Sequence, residues 1–359
     1  MHTAMHIKTR TKTRTKTRTE QDTPMFRTTR RTLALGLSVL ASATGLLAAA
    51  PALAQEKFSF MTNWYAQAEH GGFYQAQASG LYKAAGLDVT LKMGGPQVNG
   101  MQLLAAGRTD CFMGYDMQTM KAWEQGVSAV TVAAAFQKDA AVLIAHPGVV
   151  NRLEDLKGKT ILISAASQTS FWPWLRNTYG LQDSQTRPYT FNVQPFVADK
   201  NVVQQGYLSS EPHAIEKQAG FKPKVFLLAD HGWPPYSTTI VCMEKTVRER
   251  PQVVAAFLKA SMEGWKAYLK GDPSAANAMI KKDNPAMTDD SIAVGIRLMN
   301  ETGIVFGGDA ATLGVGVITD ARMKATYDMM VAMKLLDPRK VDLKRTYTTQ
   351  FVRAMKVLP

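Results

Sequence analysis

Only two of the 359 residues are cysteine, Cys111 and Cys242. Two cysteines cannot build a thiolate metal site of the usual spacing. They leave two alternatives, a disulfide in an oxidising compartment or a pair of buried free thiols. After residue 54 no apolar run is long enough to span a bilayer. G-x-S-x-G, H-E-x-x-H, the phosphate-binding G-x-x-x-x-G-K-[ST] and the dinucleotide fingerprint G-x-G-x-x-G are all missing, which removes the common hydrolase, zinc-protease and nucleotide-binding signatures. Dense basic runs are equally scarce. The chain carries a formal net charge of +13, yet residues 1–54 alone hold nine Lys/Arg against two Asp/Glu. No basic cluster follows Arg31, which argues against a nucleic-acid partner.

The N-terminal segment falls into two parts. Residues 1–24 include six cycles of a basic residue alternating with Thr, from Lys8 to Thr19. Such a tract has nothing to bury and is expected to be disordered, or to lie upstream of a true start at Met25. Residues 25–54 have the layout of a secretory signal peptide: Arg27, Arg30 and Arg31, then the uncharged stretch Leu33–Ala50, then Ala52-Leu-Ala54. The small residues and the Ala-Leu-Ala end favour a cleaved leader over an anchor. Cleavage near Ala54 by either the general or the twin-arginine route predicts a periplasmic protein without a lipid.

Beyond residue 55 short strand-like runs alternate with helical patterns, which implies an α/β fold built from βαβ units. Strands are expected at 58–64, 87–92, 111–113, 129–136 and 142–145. The pattern then restarts, with strands at 160–164, 191–197, 225–228 and 238–243, and the chain ends in a long helical tail. Crossings near 145–147 and 233–239 divide it into a first lobe (55–145), a second lobe (146–234) and a return to the first lobe with C-terminal helices (235–359).

Ligands in open α/β sheets gather at the carboxyl ends of strands, which selects the candidate residues. Asn63 and Trp64 follow the first strand and offer a donor–acceptor amide and a flat aromatic face. His70 stands at a helix start. Tyr115 and Asp116 follow the third strand, where Asp116 either caps a helix or accepts from a ligand amino group. Gln168 and Thr169 lie in the loop Ser164–Ser170 before a helix N-terminus, a place suited to anions or carbonyls. This loop has no glycine, so a phosphate would approach it less easily. Glu211 opens another helix, and Tyr236 sits on the second crossing. No candidate is Arg or Lys.

Asn63-Trp64-Tyr65, His70, Phe73-Tyr-Gln-Ala76, Gly80-Leu-Tyr82 and Gly86-Leu-Asp-Val89 resemble the opening of the SsuA/THI-like group of type II periplasmic binding proteins. Leu103–Asp110, Leu153–Lys159, Ser210-Glu-Pro212 and Arg250-Pro251 extend the likeness to about residue 336. The resemblance implies two lobes hinged like a Venus flytrap around a ligand cleft, with the helical tail packed on the first lobe. It also implies a small-molecule ligand and an inner-membrane ABC permease as partner, with the receptor itself a monomer. The group includes receptors for thiamine pyrimidine precursors, sulfonates, taurine and nitrate; in the pyrimidine receptors an acidic residue of the Glu211 segment contacts the ring. It also contains a fungal pyrimidine synthase that uses a pyridoxal-phosphate lysine, a histidine and a cysteine cluster. His70 matches the histidine, but the lysine position falls on Asp116 or Tyr115, and only Cys242 stands near the cysteine cluster. The expectation is therefore a receptor without a cofactor, binding a small heterocycle, with a sulfonate, taurine or nitrate receptor as the alternative.

Overall fold

The structure, a computed structural model, describes residues 55–359; the basic tract and the expected leader lie outside them. Ten strands run in chain order: β1 (Glu56–Met61), β2 (Leu87–Lys92), β3 (Cys111–Gly114), β4 (Ala129–Phe136), β5 (Ala141–Ala145), β6 (Thr160–Ile163), β7 (Thr186–Pro188), β8 (Val202–Tyr207), β9 (Lys224–Leu227) and β10 (Ser237–Met243). They form two five-stranded sheets, ordered β2-β1-β3-β10-β4 and β7-β6-β8-β5-β9. Each sheet has three parallel strands followed by two antiparallel pairings. In both, the strand next to the parallel trio is the one that has just crossed from the other lobe.

Sequence pattern explains most of these elements. In β1 Phe58 and Phe60 point into the core, and in β2 burial alternates as a one-sided strand requires. β4 and β5 are buried along their whole length, so they read as unbroken apolar runs. The first crossing lies earlier than expected: β5 pairs with β8 and β9, so the chain changes lobes over residues 137–140, not 145–147. The expected strand at 191–197 is instead the helix Gln194–Ala198, with a proline in its first turn. β8 is the strand that the sequence concealed, because Gln204, Gln205 and Gly206 interrupt its apolar pattern.

The helices used below are α1 (Gly71–Ala78), α2 (Asp116–Glu124), α3 (Ala165–Gln168), α4 (Phe171–Tyr179), α5 (Glu211–Ala219), α6 (Pro251–Lys270), α7 (Asp289–Thr302) and α8 (Asp320–Ala332). α6 packs on α1 at glycine distance: a Cβ on Gly72 would lie 2.2 Å from the Trp265 ring, and one on Gly264 2.2 Å from the Gly72 carbonyl. The C-terminal tail also bridges to β4 through Tyr347 and Gly316. The tail thus belongs to the first lobe. Cys111 and Cys242 face each other in β3 and β10 and form a disulfide, with Cα atoms 4.2 Å apart and a sequence separation of 131. Among the described residues no helix is long and apolar enough to cross a membrane.

Candidate functional site

Four strand ends converge between the lobes: those of β1 and β3 from the first, β6 and β8 from the second. They surround a cavity with about 540 Å³ of space between atoms, open solvent at its mouth included. The first-lobe wall is the irregular stretch 62–70. Thr62 donates its hydroxyl proton to the Trp64 carbonyl (2.8 Å) and accepts from the Gly94 amide. The Gln67 amide donates to His70 Nδ1 (3.2 Å), which fixes the ring proton on Nε2, 3.4 Å from Asn63 Oδ1. Burial pushes the His70 pKa down to about 3, so the ring stays neutral and orients the Asn63 amide. Trp64, half-buried, stacks across the lobe boundary on Tyr189 at 5.8 Å and 16°.

The second-lobe wall consists of helix starts and the end of β8. Ser164 caps α3 by accepting from the Ser167 amide, and its own amide donates to Gln205 Oε1 at 2.6 Å. Glu211, first residue of α5, accepts from the Tyr207 amide (2.8 Å) and, more loosely, from the Tyr189 hydroxyl (3.3 Å). Gly206 permits this approach, since a Cβ there would come within 2.8 Å of Glu211 Cβ. Burial raises the Glu211 carboxyl to about 7, with the charge of Glu69 pushing the same way.

Contacts across the cavity hold the lobes together. Ser209 donates to Glu69 Oε1 at 2.5 Å, and Ser210 to Gln67. The Tyr115 and Tyr207 hydroxyls meet at 2.9 Å, with Asp139 behind them. Gln118 of α2 donates to Thr169 at 3.1 Å. A second compartment, about 420 Å³ with the open solvent at its mouth included, adjoins the first, sharing Asn63, Met113, Tyr115 and Ala166 with it, and no charged residue lines it.

Asn63, Trp64, His70, Tyr115 and Glu211 thus line the main cavity, and Thr169 the adjoining compartment. Three candidates stand elsewhere. Asp116 is completely buried behind the site, where its carboxylate accepts from the Met117 and Tyr236 amides and the Thr326 hydroxyl; it ties α2 to β10 and α8. Tyr236 packs beneath the Arg322 guanidinium, 3.8 Å from its ring centre, and its hydroxyl accepts from the Thr319 amide. Gln168 turns outward to Thr186 of β7. Sequence reasoning missed Glu69, Tyr189, Gln205 and Tyr207. Glu69 was in plain view beside His70; the other three lie in or next to strands with broken patterns.

The NMT1/THI5-like family model matches residues 67–276, more than half of the chain, and the chain belongs to that family. A Haemophilus influenzae protein named for thiamine biosynthesis is 25% identical over 241 residues, covering 65% of this chain and 75% of its own. The formylaminopyrimidine-binding protein of Halalkalibacterium halodurans is 22% identical over 273 residues, covering 72% and 82%. Among solved structures, the alkanesulfonate-binding protein SsuA of Xanthomonas axonopodis, bound to MOPS, superposes with a TM-score of 0.58 at 14% identity over 81% of this chain and 98% of its own. The fold is therefore the two-lobed periplasmic-binding-protein fold. Pyridoxal phosphate does not fit the residues present. A Schiff base needs an amine, and no lysine lines either compartment. Among the described residues no three metal-binding side chains cluster.

Proposed function

We propose that the chain is the periplasmic solute receptor of an ABC importer and that its solute is a small aminated heterocycle of the pyrimidine type. One observation carries this reading. The cavity between the lobes combines aromatic faces, from Trp64 and Tyr115, with the carboxyl groups of Glu69 and Glu211, and neither Lys nor Arg lines it. Such a wall suits a flat ring that donates hydrogen bonds. A sulfonate or nitrate needs the opposite, converging donors or positive charge. The name of the Halalkalibacterium relative points the same way. Solute binding that bridges the lobes would favour the closed form, which a permease can recognise.

Thermal shift of the mature protein tests the reading. At one hundred times Kd a solute bound only by the native state adds about 2.7 kcal/mol. A shift is expected with 4-amino-5-hydroxymethyl-2-methylpyrimidine, and Trp64→Ala should remove it while the circular dichroism spectrum stays unchanged. A shift with taurine, ethanesulfonate or nitrate and with no heterocycle overturns the proposal.

A further inference from the structure

Glu69 and Glu211 present an unsolved problem of charge. Both line the main cavity, and each is only 3% exposed. They come from opposite lobes, Glu69 from the turn before α1 and Glu211 from the start of α5. Glu211 is supported on both oxygens and by a helix N-terminus. Glu69 is not. Its Oε1 takes the Ser209 hydroxyl, and the other donor at its carboxyl is its own backbone amide. Glu69 is thus a nearly buried acid lining the cavity whose one side-chain donor, Ser209, comes from the opposite lobe. His70, the nearest basic side chain in sequence, is neutral and already engaged with Asn63. Burial holds the carboxyls of both Glu69 and Glu211 above the ordinary range, as expected for acids sharing a site that lacks its counter-charge.

We infer that the solute supplies this counter-charge: it brings an amidine-like or protonated amino edge to Glu69 and Glu211, and so is selected as a cation shared between one carboxylate from each lobe. The inference rests on the reading of this cavity as the solute site and names the chemistry that the solute must carry there. Glu69 then becomes a specificity-determining residue. With no cation present, closure brings two acids together in a dry space. A cation turns the same approach into attraction, so closure and selection become one event.

Titration calorimetry on the mature protein separates these ideas. The probes are 4-amino-5-hydroxymethyl-2-methylpyrimidine and its analogue with hydroxyl in place of the 4-amino group, with ethanesulfonate as an anionic control. Wild type should bind the amino probe at least about tenfold more tightly than the hydroxyl analogue, the scale set by a charge-assisted hydrogen bond. Glu69→Gln keeps an acceptor for Ser209 and should erase most of that preference, weakening the amino probe far more than the analogue. Glu211→Gln should act in the same direction. Equal binding of both probes by wild type, equal weakening of both by Glu69→Gln, or no binding of the amino probe overturns the inference. Equal binding of the two heterocycles leaves the proposed function standing, whereas binding of ethanesulfonate and of no heterocycle overturns both.

Discussion

In the first lobe most cavity side chains, Met113 and Tyr115 at the end of β3 aside, come from an irregular stretch, residues 62–70, tied down by bonds among its own groups and to Gly94 and Asn284. In the second they stand at the end of β8 and at the starts of three helices, Ser164 before α3, Ser170 before α4 and Glu211 opening α5. The strand layouts are the same, so the contrast lies in how each lobe tolerates a buried polar group. Glu211 takes its donors, the Tyr207 amide at the end of β8 and the Tyr189 hydroxyl, from its own lobe. The 62–70 stretch supplies Glu69 only its own amide, and its side-chain donor is Ser209 from the opposite lobe. One half of the site is chemically complete by itself, and the other is completed by closure.

The sharpest way to break this comparison is to weaken one lobe alone. Reducing the Cys111–Cys242 bridge, or replacing both residues by serine, removes a constraint spanning 131 residues and should lower stability by about 2–5 kcal/mol. Hydrogen exchange should then rise in β3 and β10 and stay unchanged in β6 and β8. An equal rise in both sheets would mean that the lobes unfold as one unit. A smaller effect is expected behind the site. Asp116→Ala strands the Tyr236 amide and the Thr326 hydroxyl in the core and should lower unfolding free energy in urea by about 1–3 kcal/mol. Solute affinity should hold, because Asp116 lies outside both compartments; a large loss of affinity would return Asp116 to the site.

The smallest predicted effect is on pH. Asp116 and Asp139 are raised to about 6 and Glu211 to about 7, all chiefly by burial. Between their ordinary values and these, the folded chain binds more protons than the unfolded one. Stability from these three is complete below about pH 4 and is lost as pH rises to 7. His70, lowered to about 3, acts oppositely: its unfolded form takes up protons below about 6.5, so it costs stability as pH falls through that range. Three acids outweigh one histidine, so the melting temperature of the solute-free protein should be higher at pH 5 than at pH 7.5. The reverse order would place cations near these acids.

How much of this was legible in the sequence depended on local pattern. Phe58 and Phe60 alternating with Lys57 and Ser59 announced β1, and the glycines after several helices marked their ends. The positions after β1 and β3 could be chosen because strand ends are where α/β sheets hold ligands. Asp116 shows the limit of that rule: a strand-end acid can turn toward the cavity or toward the core, and three partners supplied by residues up to 210 positions away decide it. Gln205 was hidden for the converse reason. A buried strand bearing two glutamines and a glycine reads as loop until its neighbours are known. Glu69 illustrates a third case, since nothing local distinguishes a buried acid from a solvated one.

The order of the strands also has a consequence for synthesis. β10 lies between β3 and β4, yet it leaves the ribosome about a hundred residues after them. Until it arrives, the first sheet cannot be completed, and β3 and β4 each show an open edge while the whole second lobe is being made. A chain stopped before Ser237 would therefore carry two unpaired edges and one cysteine without its partner. The segment that finishes the older lobe is the last of the described strands to be added, so the nascent protein needs shelter from edge-to-edge association while the second lobe is made.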